Sequence, residues 1–523
     1  MKNNNMPSWL TDAVFYEIYP QSFYDTNEDG IGDFQGIIEK LDYIKSLGCN
    51  ALWINPCYDS PFMDAGYDVR NYKKTADRYG TNQDLYRLFG EAHNRGIKVL
   101  LDLVPGHTSD QHPWFLESKK AEENAYSGRY IWTDGAFHGI KDHLYISGMS
   151  DRDGCYMLNF FASQPALNYG WKNPTEPWQK GVEDPDCIAT REAMKDVMRF
   201  WMDHGCDGFR VDMADSLVKE DDDHKSATAS IWREIRTMMD KDYPECALVS
   251  EWCNPQQALT GGGFHMDFYL NHWGNGYHTL LRDYQTEGGD HSYFKKDAGG
   301  DITRFLKDYL PKYEETKEDG FISFMTCNHD TPRNTVTLSQ EELKLAYAVI
   351  FTLPGVPFLY YGDEIGMRYL KLPSKEGGYE RTGSRTPMQW DASRNLGFSK
   401  APADTLYLPV DPAKDAPTVE AQEKDPSSLL HTVREVIALR HKYKDLWADG
   451  TFEVVQGEPS SQVFAYRRGE LYLAVNPSGK TETLQLPKGC EGRELYRIGK
   501  TQMITKEDGT ILTMEGPSFM VIR

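Results

Sequence analysis

Three segments of the chain repeat one order of elements: an amphipathic helix, a glycine and a buried apolar run. They are residues 33–48 before ALWINP, 81–96 before KVLLDLV and 190–205 before DGFRVDMA. Thr81 and Asp84 have the Thr-x-x-Asp spacing of a capping box, and all three segments end at glycine. Helices that alternate with buried strands indicate parallel strands joined by helical crossovers, so the pattern predicts an α/β fold.

Further short apolar runs bring the number of predicted strands to eight. These runs are AVFYEIY, ALVSEW, FHMDFYL, FISFMTC and VPFLYYG. Eight strand–helix units favour a closed (β/α)₈ TIM barrel. An open doubly wound sheet is the structural alternative, but no GxGxxG motif follows a first strand.

Two regions interrupt this pattern. Residues 105–180 are rich in Gly, Asp, Tyr and Trp without helical periodicity, which indicates a loop-rich subdomain inserted after strand 3. Near the C-terminus, alternating runs such as SQVFAYRR and ELYLAVN predict an antiparallel β-domain. We therefore predict a catalytic barrel formed by 1–104 and 181–446, the inserted subdomain at 105–180 and a C-terminal β-sandwich at 447–523.

Composition narrows the possible partners and the compartment. The net charge of −22 argues against nucleic acid or an anionic membrane as partner, because both are bound by basic surfaces. Nine cysteines are scattered without a CxxC pair, as expected of reduced thiols. The N-terminal segment has no apolar run of signal-peptide length, and no stretch approaches the roughly 20 apolar residues of a membrane span. We expect a cytoplasmic monomer.

Four of the predicted strands end in clusters of polar residues. The clusters are DLVPGH at 102–107, GFRVD at 208–212, VSEW at 249–252 and NHD at 328–330. One such residue is usually a capped or salt-bridged strand end, but four clusters at the same end of one barrel indicate an active site. Three carboxylates with an arginine and two histidines suit glycoside cleavage, in which one carboxylate attacks the anomeric carbon and another protonates the leaving oxygen.

On these motifs the chain resembles the α-amylase family, glycoside hydrolase family 13, and within it the oligo-1,6-glucosidase and α-glucosidase branch. The similarity runs from about Trp9 to the C-terminus. It implies that Asp212 is the nucleophile and Glu251 the general acid/base. It also implies that Asp330 binds the sugar hydroxyls and helps to distort the ring.

The resemblance implies roles for four further side chains. Arg210, two residues before the nucleophile, would keep it ionised and oriented. His107 and His329 would hydrogen-bond the same glucose, and Tyr67 would stack beneath it.

In the same branch an aspartate and an arginine bind the 4-hydroxyl of the terminal glucose. The matching residues here are Asp64 in MDAGY and Arg385 in SRTPMQW. Such a pair would close the far end of the pocket. The resemblance thus implies an exo-acting retaining α-glucosidase that releases glucose from the non-reducing end of short α-1,4- or α-1,6-glucosides.

The segment DTNEDGIGD has the oxygen-rich spacing of a cation loop. Its candidate ligands are Asp25, Asn27, Asp29, the carbonyl of Ile31, and Asp33. The spacing suits Ca²⁺, or Mg²⁺ with additional water, and resembles a structural metal site of this branch. The alternative is an acidic loop that binds no metal.

Three departures from the family pattern bear on function. Gly106 and Ala166 stand where amylases have calcium-binding Asn and Asp, so we expect no second calcium. Met213 stands where members that prefer α-1,6 linkages have Val, which leaves the linkage open.

Two other functions compete with hydrolysis. A glucosyl transferase or isomerase of the trehalose synthase or sucrose isomerase type would use the same site, although the chain lacks an RLDRD-type segment after NHD. A noncatalytic family member would lack the full set of carboxylates and carry a membrane span, and the chain has neither property.

Overall fold

The computed structural model describes residues 5–270, 274–284, 289–459, 461–488, 490, 492–506 and 509–523. Residues 1–4, 271–273 and 285–288 of the predicted barrel and residues 460, 489, 491 and 507–508 of the predicted C-terminal domain lie outside it. Its strands are β1 (Phe15–Ile18), β2 (Ala51–Ile54), β3 (Tyr58–Asp59), β4 (Asn71–Thr75), β5 (Lys98–Leu103), β6 (Tyr145–Ser147), β7 (Cys155–Met157), β8 (Gly208–Val211), β9 (Ala247–Ser250), β10 (Met266–Phe268), β11 (Phe321–Ser323), β12 (Phe358–Tyr360), β13 (Glu453–Gln456), β14 (Phe464–Arg468), β15 (Leu471–Asn476), β16 (Thr481–Leu486), β17 (Glu494–Lys506) and β18 (Gly509–Ile522). Its α-helices are α1 (Phe34–Ser46), α2 (Asn82–His93), α3 (Pro113–Ser118), α4 (Pro185–Asp203), α5 (Ser226–Asp242), α6 (His278–Leu281), α7 (Ile302–Thr316), α8 (Gln340–Ile350), α9 (Val419–Glu423) and α10 (Leu429–Lys442).

Eight of these strands form one parallel sheet in the order β11-β10-β9-β8-β5-β2-β1-β12. The two ends of the sheet also meet. Met325, just after β11, pairs in parallel with Phe358 of β12. The backbone N–H of Thr326 donates to the Phe358 carbonyl at 2.9 Å. The predicted (β/α)₈ barrel and its eight strands are confirmed.

The helices form where their capping residues and apolar faces predict. Asp33 caps α1 by accepting from Gly36 N, and the buried face of α1 includes Ile37, Leu41 and Ile44. The predicted capping box at the start of α2 is present. Helix α4 begins earlier than predicted, since Asp184 and Pro185 supply the cap and the first turn.

Alternation along the strands separates two apolar layers. Phe15 of β1 belongs to the cluster inside the barrel, whereas Tyr16 and Ile18 belong to the layer between barrel and helices. Each fully buried apolar side chain of this kind contributes roughly 1.5 to 3 kcal/mol. By the same alternation Glu17 faces the barrel interior, where it is completely buried.

The inserted subdomain between β5 and α4 contains α3 and the antiparallel pair β6–β7. His107 pairs with Ala166, which links the subdomain to the carboxyl end of β5. A small core of its own includes Ile131, Met157 and Trp171.

The C-terminal domain is antiparallel, as predicted, and its described strands are linked by hydrogen bonds into one six-stranded sheet. Strand β18 explains this, because residues 510–515 pair with β16 while 518–522 pair with β15, and β17 pairs along its other edge. In the described ranges, no helix is both long enough and apolar enough to cross a membrane.

Candidate active site

The predicted site residues converge at the carboxyl ends of the barrel strands. Asp212 directly follows β8 and Glu251 directly follows β9, as the parallel barrel requires. They line a cavity of about 270 Å³. The cavity is lined by Asp64, Tyr67, His107, Phe160, Asp212, Met213, Glu251, Asp330 and Arg381.

Arg210 joins the two carboxylates expected to carry the chemistry. Its Nη1 lies 3.0 Å from Asp212 Oδ1 and its Nη2 lies 2.8 Å from Glu251 Oε2. Nη1 also lies 2.8 Å from Asp102 Oδ1, and the guanidinium is fully buried. One planar cation therefore fixes the relative positions of all three carboxylates.

Asp212 lies in an environment that disfavours its charge. Burial raises the pKa of Asp212 well above its usual range, and the nearby carboxylates of Glu251, Asp102 and Asp330 add to this, while Arg210 opposes it. Arg210 therefore favours the ionised form of Asp212, as expected, but burial and the neighbouring carboxylates outweigh it. A positive charge that developed on a bound substrate close to Asp212 would favour its ionised form.

Glu251 is held by the loop that follows the nucleophile. The backbone N–H of Met213 donates to Glu251 Oε2 at 3.0 Å. Met213 has a φ of 43°, an uncommon conformation for a residue other than glycine. The turn after Asp212 thereby couples the position of Asp212 to that of Glu251.

Three cationic side chains surround Asp330. Arg381 Nη1 and Arg385 Nη2 each lie 2.9 Å from its Oδ1, and His329 Nε2 lies 3.1 Å from its Oδ2. Burial opposes ionisation, but His329 and the two arginines outweigh it and hold the pKa of Asp330 well below its usual range. Asp330 thus presents a permanent negative charge to the pocket.

Asp64 and Arg385, which are expected to bind one hydroxyl together, form no direct ion pair with each other. Arg385 contacts Asp330, the carbonyl of His329 at 2.8 Å and Tyr19, whereas the guanidinium that reaches Asp64 is that of Arg381. Arg381 Nη2 lies 3.4 Å from Asp64 Oδ1. The sequence feature that points to Arg381 is its position four residues before Arg385 in ERTGSRTPMQW. A loop of this kind has no periodicity, so the direction of its side chains cannot be predicted from spacing.

Asp64 lines the pocket beside Arg381. Gln164 of the inserted subdomain donates to Asp64 Oδ2 at 2.8 Å. Burial raises the pKa of Asp64 to about 6, although Arg381 and Gln164 lower it. Phe160, from the same subdomain and not predicted from sequence, lines the pocket beside it.

The two predicted histidines differ in charge. Burial lowers the pKa of His107 to about 4, so His107 is neutral and contacts the Tyr67 carbonyl at 3.1 Å. Burial also opposes the charge of His329, but Asp330 and Glu17 outweigh it and raise its pKa to about 9. Tyr67 stacks on His329 with ring centroids 5.4 Å apart, and its hydroxyl donates to Asp102 Oδ2 at 3.0 Å.

The region in which we expect no second calcium contains a buried ammonium. Lys219 Nζ donates to Ser216 O at 2.6 Å and to Asn159 Oδ1 at 3.3 Å. A Cβ on Gly106 would approach Asn159 Nδ2 to 2.8 Å, so a larger residue does not fit there without movement.

The predicted metal loop folds into successive Asx turns. The carboxylate or amide oxygens of Asp25, Asn27 and Asp29 accept from the backbone N–H two residues on, at 3.1, 3.0 and 2.8 Å. Asp33 instead caps α1 and bonds Thr26. Within the described residues, no group of three or more His, Cys, Asp or Glu is arranged to hold a metal ion.

Comparison with known proteins identifies the family. The family model for the α-amylase catalytic domain matches residues 17–449. The chain is 32% identical to an oligo-1,6-glucosidase of Heyndrickxia coagulans over 92% of this chain and 94% of that protein. It is 35% identical to a trehalose synthase/amylase of Mycolicibacterium smegmatis over 88% of this chain and 80% of that protein.

A solved structure is similar along nearly the whole chain. It is a mutant isomaltulose synthase of Erwinia rhapontici in complex with D-glucose, with a TM-score of 0.79, 27% identity and 99% coverage of both chains. The family model, the identities and the barrel with its three carboxylates together show that the chain is a glycoside hydrolase of the α-amylase family.

Proposed function

We propose that the chain is an exo-acting retaining α-glucosidase that releases glucose from the non-reducing end of short α-glucosides. The observation that carries this proposal is the closed end of the pocket. There Asp64 accepts from both Arg381 and Gln164, and Asp330 pairs with both Arg381 and Arg385. A sugar ring bound against this cluster has no path for a further sugar beyond its 4-hydroxyl.

The proposed reaction has two steps. Asp212 attacks the anomeric carbon, the bond to the leaving oxygen breaks, and Glu251 donates its proton to that oxygen. Glu251 then removes a proton from water, whose oxygen replaces Asp212 at the anomeric carbon. Glucose leaves with its α-configuration, since two inversions restore the starting geometry.

The charges around the pocket support these roles. The Arg210 guanidinium contacts both carboxylates, so both lie beside the same reacting bond. Asp330 remains ionised because two arginines and His329 surround it. A fixed negative charge near the sugar stabilises the oxocarbenium-like transition state.

Reducing-end-labelled maltopentaose tests exo-action. The wild type should release unlabelled glucose first and leave labelled maltotetraose. Labelled maltose or maltotriose as the first product would show an open groove and an endo-acting enzyme.

Glucosyl transfer or isomerisation is the second candidate, because the similar proteins include a trehalose synthase/amylase and an isomaltulose synthase. The pocket for the first glucose serves either outcome, since only the acceptor differs. Incubation with maltose, isomaltose, sucrose and trehalose, followed by separation of products, decides between them. Free glucose as the main product supports hydrolysis, and a new disaccharide formed at the expense of free glucose supports transfer.

We also propose that the loop of Asp25, Asn27 and Asp29 binds a structural Ca²⁺, with Ile31 giving its carbonyl. The loop offers hard oxygen donors, which suit Ca²⁺ or Mg²⁺. The role of Asp33 as the cap of α1 makes it the least suited of the predicted ligands.

A further inference from the structure

Glu17 is a buried carboxylate that the mechanism above does not use. It lies near the carboxyl end of β1, and its Oε1 is 2.8 Å from Nδ1 of His329. Neither side chain has any solvent exposure. Because a buried charge is unfavourable unless it is paired, this contact needs an explanation.

The second ring nitrogen of His329 also faces acceptors. Nε2 lies 3.1 Å from Asp330 Oδ2 and 2.6 Å from the Tyr67 hydroxyl. That hydroxyl donates its own proton to Asp102, so its oxygen can accept from Nε2. With Glu17 at one nitrogen and Asp330 with Tyr67 at the other, the environment matches a ring that donates from both nitrogens.

We propose that Glu17 is a positioning residue that holds His329 as a doubly protonated imidazolium, with its Nε2–H directed toward Asp330 and the bound sugar. This inference deepens the proposed function, and only its kinetic test depends on that function.

The negative charge of Glu17 offsets the positive charge of His329. A lone imidazolium in the pocket would repel the positive charge that develops on the sugar ring. Glu17 lies on the far side of His329 from Asp330, so it balances the imidazolium while leaving its N–H available. The elevated pKa of His329, about 9, is in keeping with this, as burial alone would lower it and the carboxylates of Asp330 and Glu17 raise it.

Other groups around the pair do not remove the need for Glu17. Burial raises the pKa of Glu17, and both His329 and Arg210 lower it. The Asn55 amide nitrogen lies 3.0 Å from His329 Nδ1 and 3.3 Å from Glu17 Oε1, and the amide can present either its oxygen or its nitrogen. The charged or titratable groups that face the pair from surrounding elements are Asp330, Asp102, Arg210, Arg385, Tyr19 and Tyr67.

The variant Glu17→Gln tests the proposal, because glutamine keeps the size and an acceptor oxygen but removes the charge. Glu364→Gln is the matched control, since Glu364 is also fully buried and accepts from Tyr16 and Tyr43, outside the pocket. Nitrogen NMR of ¹⁵N-histidine-labelled protein reports the charge of His329, whose signal is assigned by its loss in His329→Asn.

The wild type and Glu364→Gln should show His329 as an imidazolium at about pH 7.5, and Glu17→Gln should show it neutral there. A neutral His329 in the wild type, or an imidazolium that persists in Glu17→Gln, would overturn the proposal. If Glu17→Gln does not fold, the charge of His329 in the wild type remains the test, and a neutral ring there overturns the proposal.

Kinetics provide the second readout. On p-nitrophenyl α-glucoside, Glu17→Gln should lose about tenfold or more in kcat/KM at about pH 7.5 and much less at about pH 5.5, where His329 regains its proton. An equal loss at both pH values would indicate a merely structural role for Glu17. If no glucoside is cleaved but the NMR result is as expected, the proposed function fails and the role of Glu17 in holding the charge of His329 stands.

Discussion

Asp64 and Arg381 meet at the closed end of the pocket, with Arg381 Nη2 3.4 Å from Asp64 Oδ1. Both side chains are turned inward, and Asp64 is almost completely buried. A sugar hydroxyl placed between them would accept from one and donate to the other. Under the proposed function, this pair would recognise the 4-hydroxyl of the terminal glucose.

Arg381→Ala should lower kcat/KM for maltose by about 10- to 100-fold, since a buried hydrogen bond to a charged group is worth about 1.5 to 3 kcal/mol. In the same variant, the ratio of kcat/KM for p-nitrophenyl α-glucoside to kcat/KM for p-nitrophenyl α-galactoside should decrease. Arg394→Ala, an exposed arginine on the segment that follows, is the control. If Arg381→Ala keeps the full preference, Arg381 does not recognise the 4-hydroxyl.

Asp212→Asn should reduce turnover by several orders of magnitude and yet stabilise the fold at neutral pH. Because the pKa of Asp212 is raised in the folded state, its ionisation destabilises the fold above the unfolded pKa of about 3.9. The melting temperature of Asp212→Asn should exceed that of the wild type by about 1 to 3 °C at pH 7 and approach it near pH 4. A variant less stable than the wild type at pH 7 would contradict this account of the charge.

Glu251→Gln should affect substrates according to their leaving groups. Maltose needs protonation of a poor leaving group, so its kcat should fall by about 10² to 10⁴. An activated aryl α-glucoside needs less assistance and should lose much less in the glycosylation step. Equal losses on both substrates would count against Glu251 as the general acid.

Removal of divalent ions should lower the melting temperature, because a bound ion stabilises by mass action. Turnover at low temperature should stay nearly unchanged, because the residues that line the pocket include none of the loop. The double variant Asp25→Ala, Asp29→Ala should no longer respond to chelator. Metal analysis of the purified wild type tests whether the loop binds a metal ion. If the wild type carries no metal, the segment is only an acidic turn.

The barrel and most of its active site could be predicted because strand ends are marked in the sequence. An apolar run that stops at an ionisable residue, as at Asp212 and Glu251, fixes that residue to the carboxyl end of a parallel strand. The oxygen-rich spacing of residues 25–33 is also readable from the sequence, but the spacing does not show that Asp33 caps α1.

Arg381 and Glu17 were beyond such reasoning for different physical reasons. Arg381 lies in an irregular segment, so its direction depends on the loop path and not on a period. Glu17 lies inside an apolar strand, where alternation gives its face but not the partner across the barrel, His329. The strand patterns likewise do not predict that β18 pairs with both β15 and β16.

The central claim is a covalent glucosyl-enzyme formed at Asp212. Incubation with 5-fluoro-α-D-glucosyl fluoride should trap it, because the fluorine slows release more than formation when the leaving group is activated. Mass spectrometry of the intact protein and of its peptides then locates the sugar. We expect one fluoroglucosyl group per chain, on the peptide that contains Asp212, and none in Asp212→Asn. A label on another residue, or turnover without any covalent intermediate, would contradict the account.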